Sequence, residues 1–313
     1  MAETTLVIGL DIGGTNIRGG LVRFPGAEIV DRLSLATAPE RGGEAVLRDT
    51  LDVATELSSR AASRGLRVSA IGAGVAELVD PRGDIASAQT IEWLGVPVRA
   101  RLSEIAPAVL ESDVRAAALG EARFGAGSGM SAFVYVTVGT GISSCFVLEG
   151  RPYAGARGNA LVLSSAPSTV WCTECGLRTS RVLEEFSSGS AIARRFNERS
   201  GQRCRCEDVT LFAASGDAAA IEIVASGAEA LGSAVAQVAN LLDPQAIIIG
   251  GGLGLAGGLY WETLIAAIRA HIWSDQTRGL QIQQAALGKD AGLIGAAACA
   301  LHGYRTEGED CGD

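Results

Sequence analysis

The chain has 313 residues, 48% hydrophobic and 19% charged, the balance of a globular protein long enough for two domains or one large α/β unit. Its formal net charge of −9 argues against a nucleic-acid partner, which would want a basic face. With only His271 and His302 present, and neither in a motif, histidine chemistry has little to draw on.

No apolar stretch of membrane-spanning length is free of charges and glycines. The opening MAETTLVIGLDIGG lacks the basic region of a signal peptide. A cytoplasmic protein with no membrane partner is therefore expected. Seven cysteines, at 145, 172, 175, 204, 206, 299 and 311, are an odd and scattered set. In a cytoplasmic chain they read as thiols or metal ligands rather than disulfides.

Residues 6–10 (LVIGL) are a short apolar run, as in a strand buried on both faces. Asp11 sets a carboxylate at the strand's end. Gly13 and Gly14 allow a tight turn and close approach to a ligand, and Thr15 and Asn16 add short polar side chains. Such a turn can aim N–H groups and a hydroxyl at a phosphate, with Asp11 holding Mg²⁺ through water. An ordinary β-turn has the same letters. Residues 17–24 and 28–37 read as strands around a Pro25-Gly26 turn. Residues 44–62 have helical apolar spacing, 67–79 are a strand with its turn, and 80–83 a tight turn. Residues 85–97 are loop-like around Trp93.

An apolar PAVLE segment leads into a small-residue helix within 111–127, with Asp113 at its N-terminus. A carboxylate there is a common N-cap, and the helix dipole would hold its pKa low. Strand 132–138, the turn Gly139-Thr140-Gly141 and strand 142–148 then repeat the opening pattern. Two strand–glycine turn–strand units suggest a duplicated architecture with a phosphate-binding turn in each half. Loop 155–165, helix 182–196, a polar excursion at 201–208 and a long Ala-rich helix at 218–242 follow. Next come strand 246–249 running into Gly250-Gly251-Gly252, helix 261–272, strand 280–286, helix 291–302 and a frayed tail at 305–313.

The stretch DIGGTNIRGGLV resembles the first phosphate loop of the ROK family, named for repressors, open reading frames and kinases. VTVGTGI (136–142) looks like its second phosphate loop, NLLDPQAIIIGGGLG (240–254) like its adenosine loop, and AGLIGAAACA like the helix returning to the small domain. The resemblance covers nearly the whole chain. It implies an α/β, two-domain, actin-like sugar kinase ATPase fold, with duplicated ribonuclease H-like domains and an interdomain cleft. Residues 1–112 would form the small domain, joined by the C-terminal helix (291–313), and 113–290 the large one. It further implies transfer of the ATP γ-phosphoryl group, with Mg²⁺, to a hydroxyl of a small sugar-like substrate, and a homodimer. Asp113 would be the base, and Asp11, Gly13, Gly14, Thr15, Asn16, Gly139, Thr140, Gly141, Gly251 and Gly252 would serve the nucleotide. A DNA-reading repressor is not expected, since the first strand begins at Leu6.

The substrate pocket departs from the family pattern. Ser112 stands before Asp113 where the family has Asn, and Thr90 stands where a loop Asn would meet the sugar. The family's G-E-I-G-H segment is replaced within GARGNALVLSS, which includes Gly158 and Asn159. Val162 takes the Glu position and Ser165 the His position, while Glu184 keeps the late Glu. Of the family's structural zinc cysteines only Cys175 survives in register. Cys172 and Cys175 with Cys204 and Cys206 could in principle bind Zn²⁺, but their spacing favours unligated thiols, so no structural zinc is expected. Three readings stay open: a kinase for a C7 cyclitol or modified sugar of secondary metabolism, acting on a primary hydroxyl; a glucokinase with a rewired pocket; or a non-catalytic ATP-binding sensor.

Overall fold

The structure, a computed structural model, describes residues 4–171, 175–176 and 178–301. The tail at 305–313, His302, Cys172 and Cys311 lie outside the described residues.

The strands are β1 (Thr5–Ile12), β2 (Asn16–Phe24), β3 (Glu28–Ala36), β4 (Val68–Val75), β5 (Ala108–Ser112), β6 (Ala132–Val138), β7 (Ile142–Leu148), β8 (Arg151–Pro152), β9 (Pro167–Trp171), β10 (Arg178–Val182), β11 (Ala246–Gly250) and β12 (Gln281–Gln284). The helices are α1 (Gly43–Ser63), α2 (Val98–Ser103), α3 (Asp113–Phe124), α4 (Glu184–Ser187), α5 (Gly189–Ser200), α6 (Cys206–Ala214), α7 (Ala218–Leu242), α8 (Gly258–His271), α9 (Asp275–Arg278) and α10 (Ala291–Leu301). Contacts divide the chain into two compact units. Unit 1 takes the described residues of Met1–Gly129, Val147–Ala160 and Asp290–Asp313; unit 2 takes those of Met130–Phe146 and Leu161–Lys289.

Unit 1 is built on a sheet of order β3-β2-β1-β4-β5. β1 pairs antiparallel with β2 and parallel with β4, and β4 runs parallel to β5. β1 is buried along nearly all its length, because helices cover a central strand on both faces. Small residues bring α10 directly onto it. A Cβ at Gly9 would lie 2.2 Å from the Leu293 carbonyl, and one at Gly72 1.7 Å from that of Ala296. Helix α3 meets α10 equally closely, since a Cβ at Gly295 would lie 1.7 Å from the Ala116 carbonyl. That packing holds α3 within unit 1, so the division read at 112/113 falls inside this unit. It also sets the start of α3 beside the ends of β1 and β4: a Cβ at Gly74 would be 3.5 Å from Asp113 Cα.

The sheet of unit 2 runs β12-β11-β6-β7, and the end of β7 pairs with β8. β6 sits between β7 and a parallel β11, as β1 sits between β2 and a parallel β4, so the repeated strand–turn–strand pattern has a structural counterpart. Each unit has its own apolar cluster, around Ile8, Leu10 and Ile71 in one and Val136, Ile247 and Leu231 in the other. Helix α7 is long and apolar enough to cross a membrane by length and composition, yet its Ile223, Val224, Leu231 and Val235 pack into this second core.

Three stretches differ from the sequence reading. The helix expected over 182–196 is interrupted: β10 ends at Val182 and Ser188 is extended, its hydroxyl accepting from the Ala191 N–H to cap α5. The polar excursion at 201–208 ends in α6, where Asp208 Oδ2 accepts from the Arg205 N–H. The β9–β10 hairpin was not foreseen, because neither segment alternates clearly between apolar and polar residues.

Candidate active site

In unit 1 the first glycine turn closes with the Gly13 N–H donating to the Asn16 carbonyl at 3.0 Å. Thr37, fully buried, ties it from behind: its hydroxyl donates to the Gly13 carbonyl at 2.6 Å and its N–H to the Thr15 carbonyl at 3.0 Å. Neither Gly13 nor Gly14 has positive φ. Gly14 lies close under Thr90 instead: a Cβ there would be 2.7 Å from Thr90 Cγ2, so a side chain at this position would have to push that exposed methyl aside. Thr15 and Asn16 are exposed at the tip.

Asp11 is buried at the end of β1 and faces Arg18 across the β1–β2 ladder, with Oδ2 3.0 Å from Nη2. Burial pushes its pKa up, and Arg18 opposes the rise. Gly292 leaves room for this carboxylate; a Cβ there would lie 2.8 to 3.0 Å from its atoms. Asp113 is the first residue of α3, half-buried, and its Oδ1 accepts the Val114 N–H at 2.6 Å. Ser112, not Asp113, occupies the cap position, and its buried Oγ has no hydrogen-bond partner among the described residues. The low pKa expected from the helix dipole is overturned. Burial first, then Asp11 and Glu77, push Asp113 up to about 7, against the Val114 N–H and Arg115.

Two further residues, absent from the sequence reading, organise this region. Glu77, just past β4, is buried, and its Oε1 accepts the N–H groups of Thr90 at 2.6 Å and Ile91 at 2.7 Å. Arg115 is buried in α3. Its Nε donates to Glu111 Oε1 at 2.7 Å, Nη1 to the Gly158 carbonyl at 2.8 Å and Nη2 to the Val79 carbonyl at 2.6 Å. Gly158 is thereby pinned against Val79, with positive φ and no room for a Cβ, and Asn159 is exposed beside it. A carboxylate two residues after a glycine-containing strand, and an arginine set before the apolar AAALG run of α3, are the available signals.

In unit 2 the second turn closes with the Gly139 N–H donating to the Gly141 carbonyl at 2.9 Å. The start of α5 holds it: the Gly189 N–H donates to the Gly139 carbonyl at 2.8 Å and the Ser190 hydroxyl to that of Thr140 at 2.6 Å. Glu184 Oε2 accepts the Ile142 N–H at 2.7 Å and would meet a Cβ on Gly141 at 2.6 Å, so this carboxylate braces the turn. Gly251 has φ +79 and packs on the Val138 carbonyl, while Gly252 is exposed beyond it. The Ser144 hydroxyl donates to the Leu161 carbonyl at 2.7 Å, and Ser164 Oγ donates to that of Ile142. Between and beyond these ties Val162 (41% exposed) and Ser165 face outward.

The expected residues thus form two groups. Asp11, Gly13, Gly14, Thr15, Asn16, Thr90, Ser112, Asp113, Gly158 and Asn159 belong to unit 1, and Gly139, Thr140, Gly141, Val162, Ser165, Glu184, Gly251 and Gly252 to unit 2. Among the described residues no group of three or more His, Cys, Asp or Glu side chains is arranged to hold a metal ion directly.

Residues 7–302 match the family described as "ROK family". A glucokinase from Halalkalibacterium halodurans is 30% identical, over 92% of this chain and 92% of its own. The bifunctional enzyme NanE/NanK of Brucella melitensis is 33% identical over 93% of this chain, which spans only 53% of that relative. Among solved structures, a ROK family glucokinase from Streptomyces griseus in complex with glucose and AMPPNP shares 29% identity. It aligns with a TM-score of 0.81 over 94% of this chain and 99% of its own. The ROK hexokinase of Thermus thermophilus shares 32% identity, with a TM-score of 0.76 over 95% of this chain and 98% of its own. The two-domain α/β fold is that of these kinases.

Proposed function

The chain belongs to the ROK family, and from that membership we propose that it is an ATP-dependent sugar kinase whose base is Asp113. The observation that carries the base is the carboxyl at the start of α3, on a half-buried residue and raised to about 7. A general base poised near neutrality is suited to taking a hydroxyl proton. In the reaction the acceptor oxygen forms a bond to the γ-phosphorus, the bond to the β-phosphate oxygen breaks, ADP leaves, and the acceptor's proton passes to Asp113. The glycine turns would position phosphate oxygens by their backbone N–H groups. Mg²⁺, when bound, neutralises phosphate charge. Asp11 suits holding it through water, being a confined carboxylate at a strand end with Gly292 leaving it space.

Gly14→Val tests the nucleotide assignment. Its side chain would press on Thr90 and on any phosphate in the turn, and ATP affinity should fall about tenfold or more. Calorimetric titration of the folded variant with unchanged ATP affinity would remove the first turn from the nucleotide site.

For the acceptor we propose a C7 cyclitol or modified sugar, phosphorylated on a primary hydroxyl. The support is chemical: Thr90, Val162 and Ser165 stand where the family offers Asn, Glu and His to the ring, and Val162 presents an apolar, solvent-facing side chain. A hydroxyl set against valine loses its water partners and gains none, which costs about 1–3 kcal/mol. The second reading is a glucokinase, favoured by the glucose-bound relative and the glucokinases among the similar proteins. Steady-state kinetics on glucose, mannose, N-acetylated hexosamines and a C7 cyclitol such as a valiolone decide between them. The cyclitol or modified sugar should exceed glucose in kcat/KM by about 10- to 100-fold. Glucose as the best acceptor establishes the glucokinase, and ATP binding without turnover of any polyol establishes a sensor.

A further inference from the structure

We propose that Glu77 is a positioning residue of the acceptor site, its carboxylate holding the 87–91 loop so that Thr90 is fixed against the first glycine turn. The inference rests on the kinase reading and identifies a group that shapes its acceptor side. Glu77 is 5% exposed and, among the described residues, has no cationic partner. Its charge is met entirely by donors from one loop. Oε2 accepts the Ser87 hydroxyl and the Gln89 N–H at 2.9 Å, and Oε1 accepts the N–H groups of Thr90 and Ile91 at 2.6 and 2.7 Å. Four donors converging on two oxygens call for a carboxylate, since an amide would turn its own NH₂ toward some of them.

Loop anchoring for the sake of folding alone does not need this group. Ile91 and Trp93 are fully buried, and the Trp93 indole N–H donates to the Gly43 carbonyl at 2.8 Å, so the downstream half is held by the core. The upstream end is tied to Leu78, whose N–H donates to Ser87 Oγ and whose carbonyl accepts the Ala86 N–H, both at 2.8 Å, and Glu77 fixes the exposed Gln89 and Thr90 that follow. Thr90 Cγ2 then stands 2.7 Å from where a Cβ on Gly14 would be, so this part of the loop packs against the turn. Glu77 also acts on Asp113. The charged groups facing that carboxyl are Asp11 from β1, itself paired with Arg18 of β2, Glu77 from beyond β4, and Arg115 from α3, itself paired with Glu111. Glu77 is one of the two that raise its pKa by charge.

The test compares Glu77→Gln and Glu77→Asp with wild type by amide hydrogen exchange, by carboxyl NMR titration of Asp113 in the resting protein and by kinetics. In Glu77→Gln, exchange at 89–91 should quicken while β1 and α3 keep their protection. The acceptor KM should rise about tenfold, with a smaller change in kcat, as two hydrogen bonds to a charge are lost. The Asp113 titration should move to lower pH as one repelling charge goes. In Glu77→Asp, which keeps the charge but not the reach, the titration should return toward wild type while KM stays raised. Unchanged exchange at 89–91 in a folded Glu77→Gln protein overturns the proposal whatever the acceptor. So does a fall in kcat with KM unmoved. A wild-type protein inert toward every polyol would instead fail the kinase reading, and exchange and titration would still decide the role of Glu77.

Discussion

Asp113→Asn is expected to lower kcat by about 10²-fold or more while ATP binding stays near wild type, because it removes the proton acceptor and keeps the shape. The hydrogen bond from the Val114 N–H can pass to the amide oxygen, so the start of α3 should stand. The pH dependence is the sharper mark. With Asp113 at about 7, wild-type kcat/KM should rise with pH on an acid limb centred near neutrality, since only the carboxylate can take the proton. The residual activity of the Asn variant should lack that limb. Stability should move the opposite way. The folded protein holds this proton above the ordinary carboxylate pKa of 3.8, so Asp113 contributes stability that is full below 3.8 and is lost progressively as pH rises from there to about 7. Asp113→Asn should remove that slope from the pH dependence of thermal unfolding. A variant with near-wild-type kcat on the preferred acceptor would make Asp113 a helix-start residue and put the base elsewhere.

The parts of this site legible in the sequence are those whose chemistry is local. The first turn was readable because an apolar strand, a carboxylate and two glycines follow one another directly, and the second because it repeats the pattern. What could not be read depends on distant partners. Glu77 has no meaning until residues 87–91 fold back onto it, and Arg115 none until Val79 and Gly158 arrive from either side. The pKa of Asp113 was misjudged for the same reason. The helix start was visible, but the burial and the neighbouring Asp11 that outweigh it are products of packing. Family resemblance places Glu184 at the substrate, and the fold adds a contact that the sequence does not show, since Oε2 accepts the Ile142 N–H of the second turn. The misread helix over 182–196 is a composition problem. Glu184, Glu185 and Phe186 continue a helical pattern, and only the capping hydroxyl of Ser188 before Gly189 signals the interruption.

Arg115→Met is expected to destabilise the protein by about 3–5 kcal/mol, the cost of stranding one half of a buried ion pair. Both partners are almost fully buried, with Arg115 and Glu111 side chains each 6% exposed. Methionine fills much of the same volume, so the loss is mainly electrostatic. Glu111 would keep only the Ser112 N–H at 2.8 Å, and the carbonyls of Val79 and Gly158 would lose their donors. Removing both charges, as Glu111→Leu with Arg115→Met, should recover part of the loss, because no unpaired charge then remains. Urea unfolding followed by two probes measures both values. A single-variant loss below about 1 kcal/mol would mean that water reaches Glu111 and the pair is not sealed. The same substitution separates structure from chemistry. Arg115 lowers the Asp113 pKa, so its removal should carry the acid limb to higher pH, opposite to Glu77→Gln. A site merely loosened by destabilisation would lose activity without moving that limb in either direction.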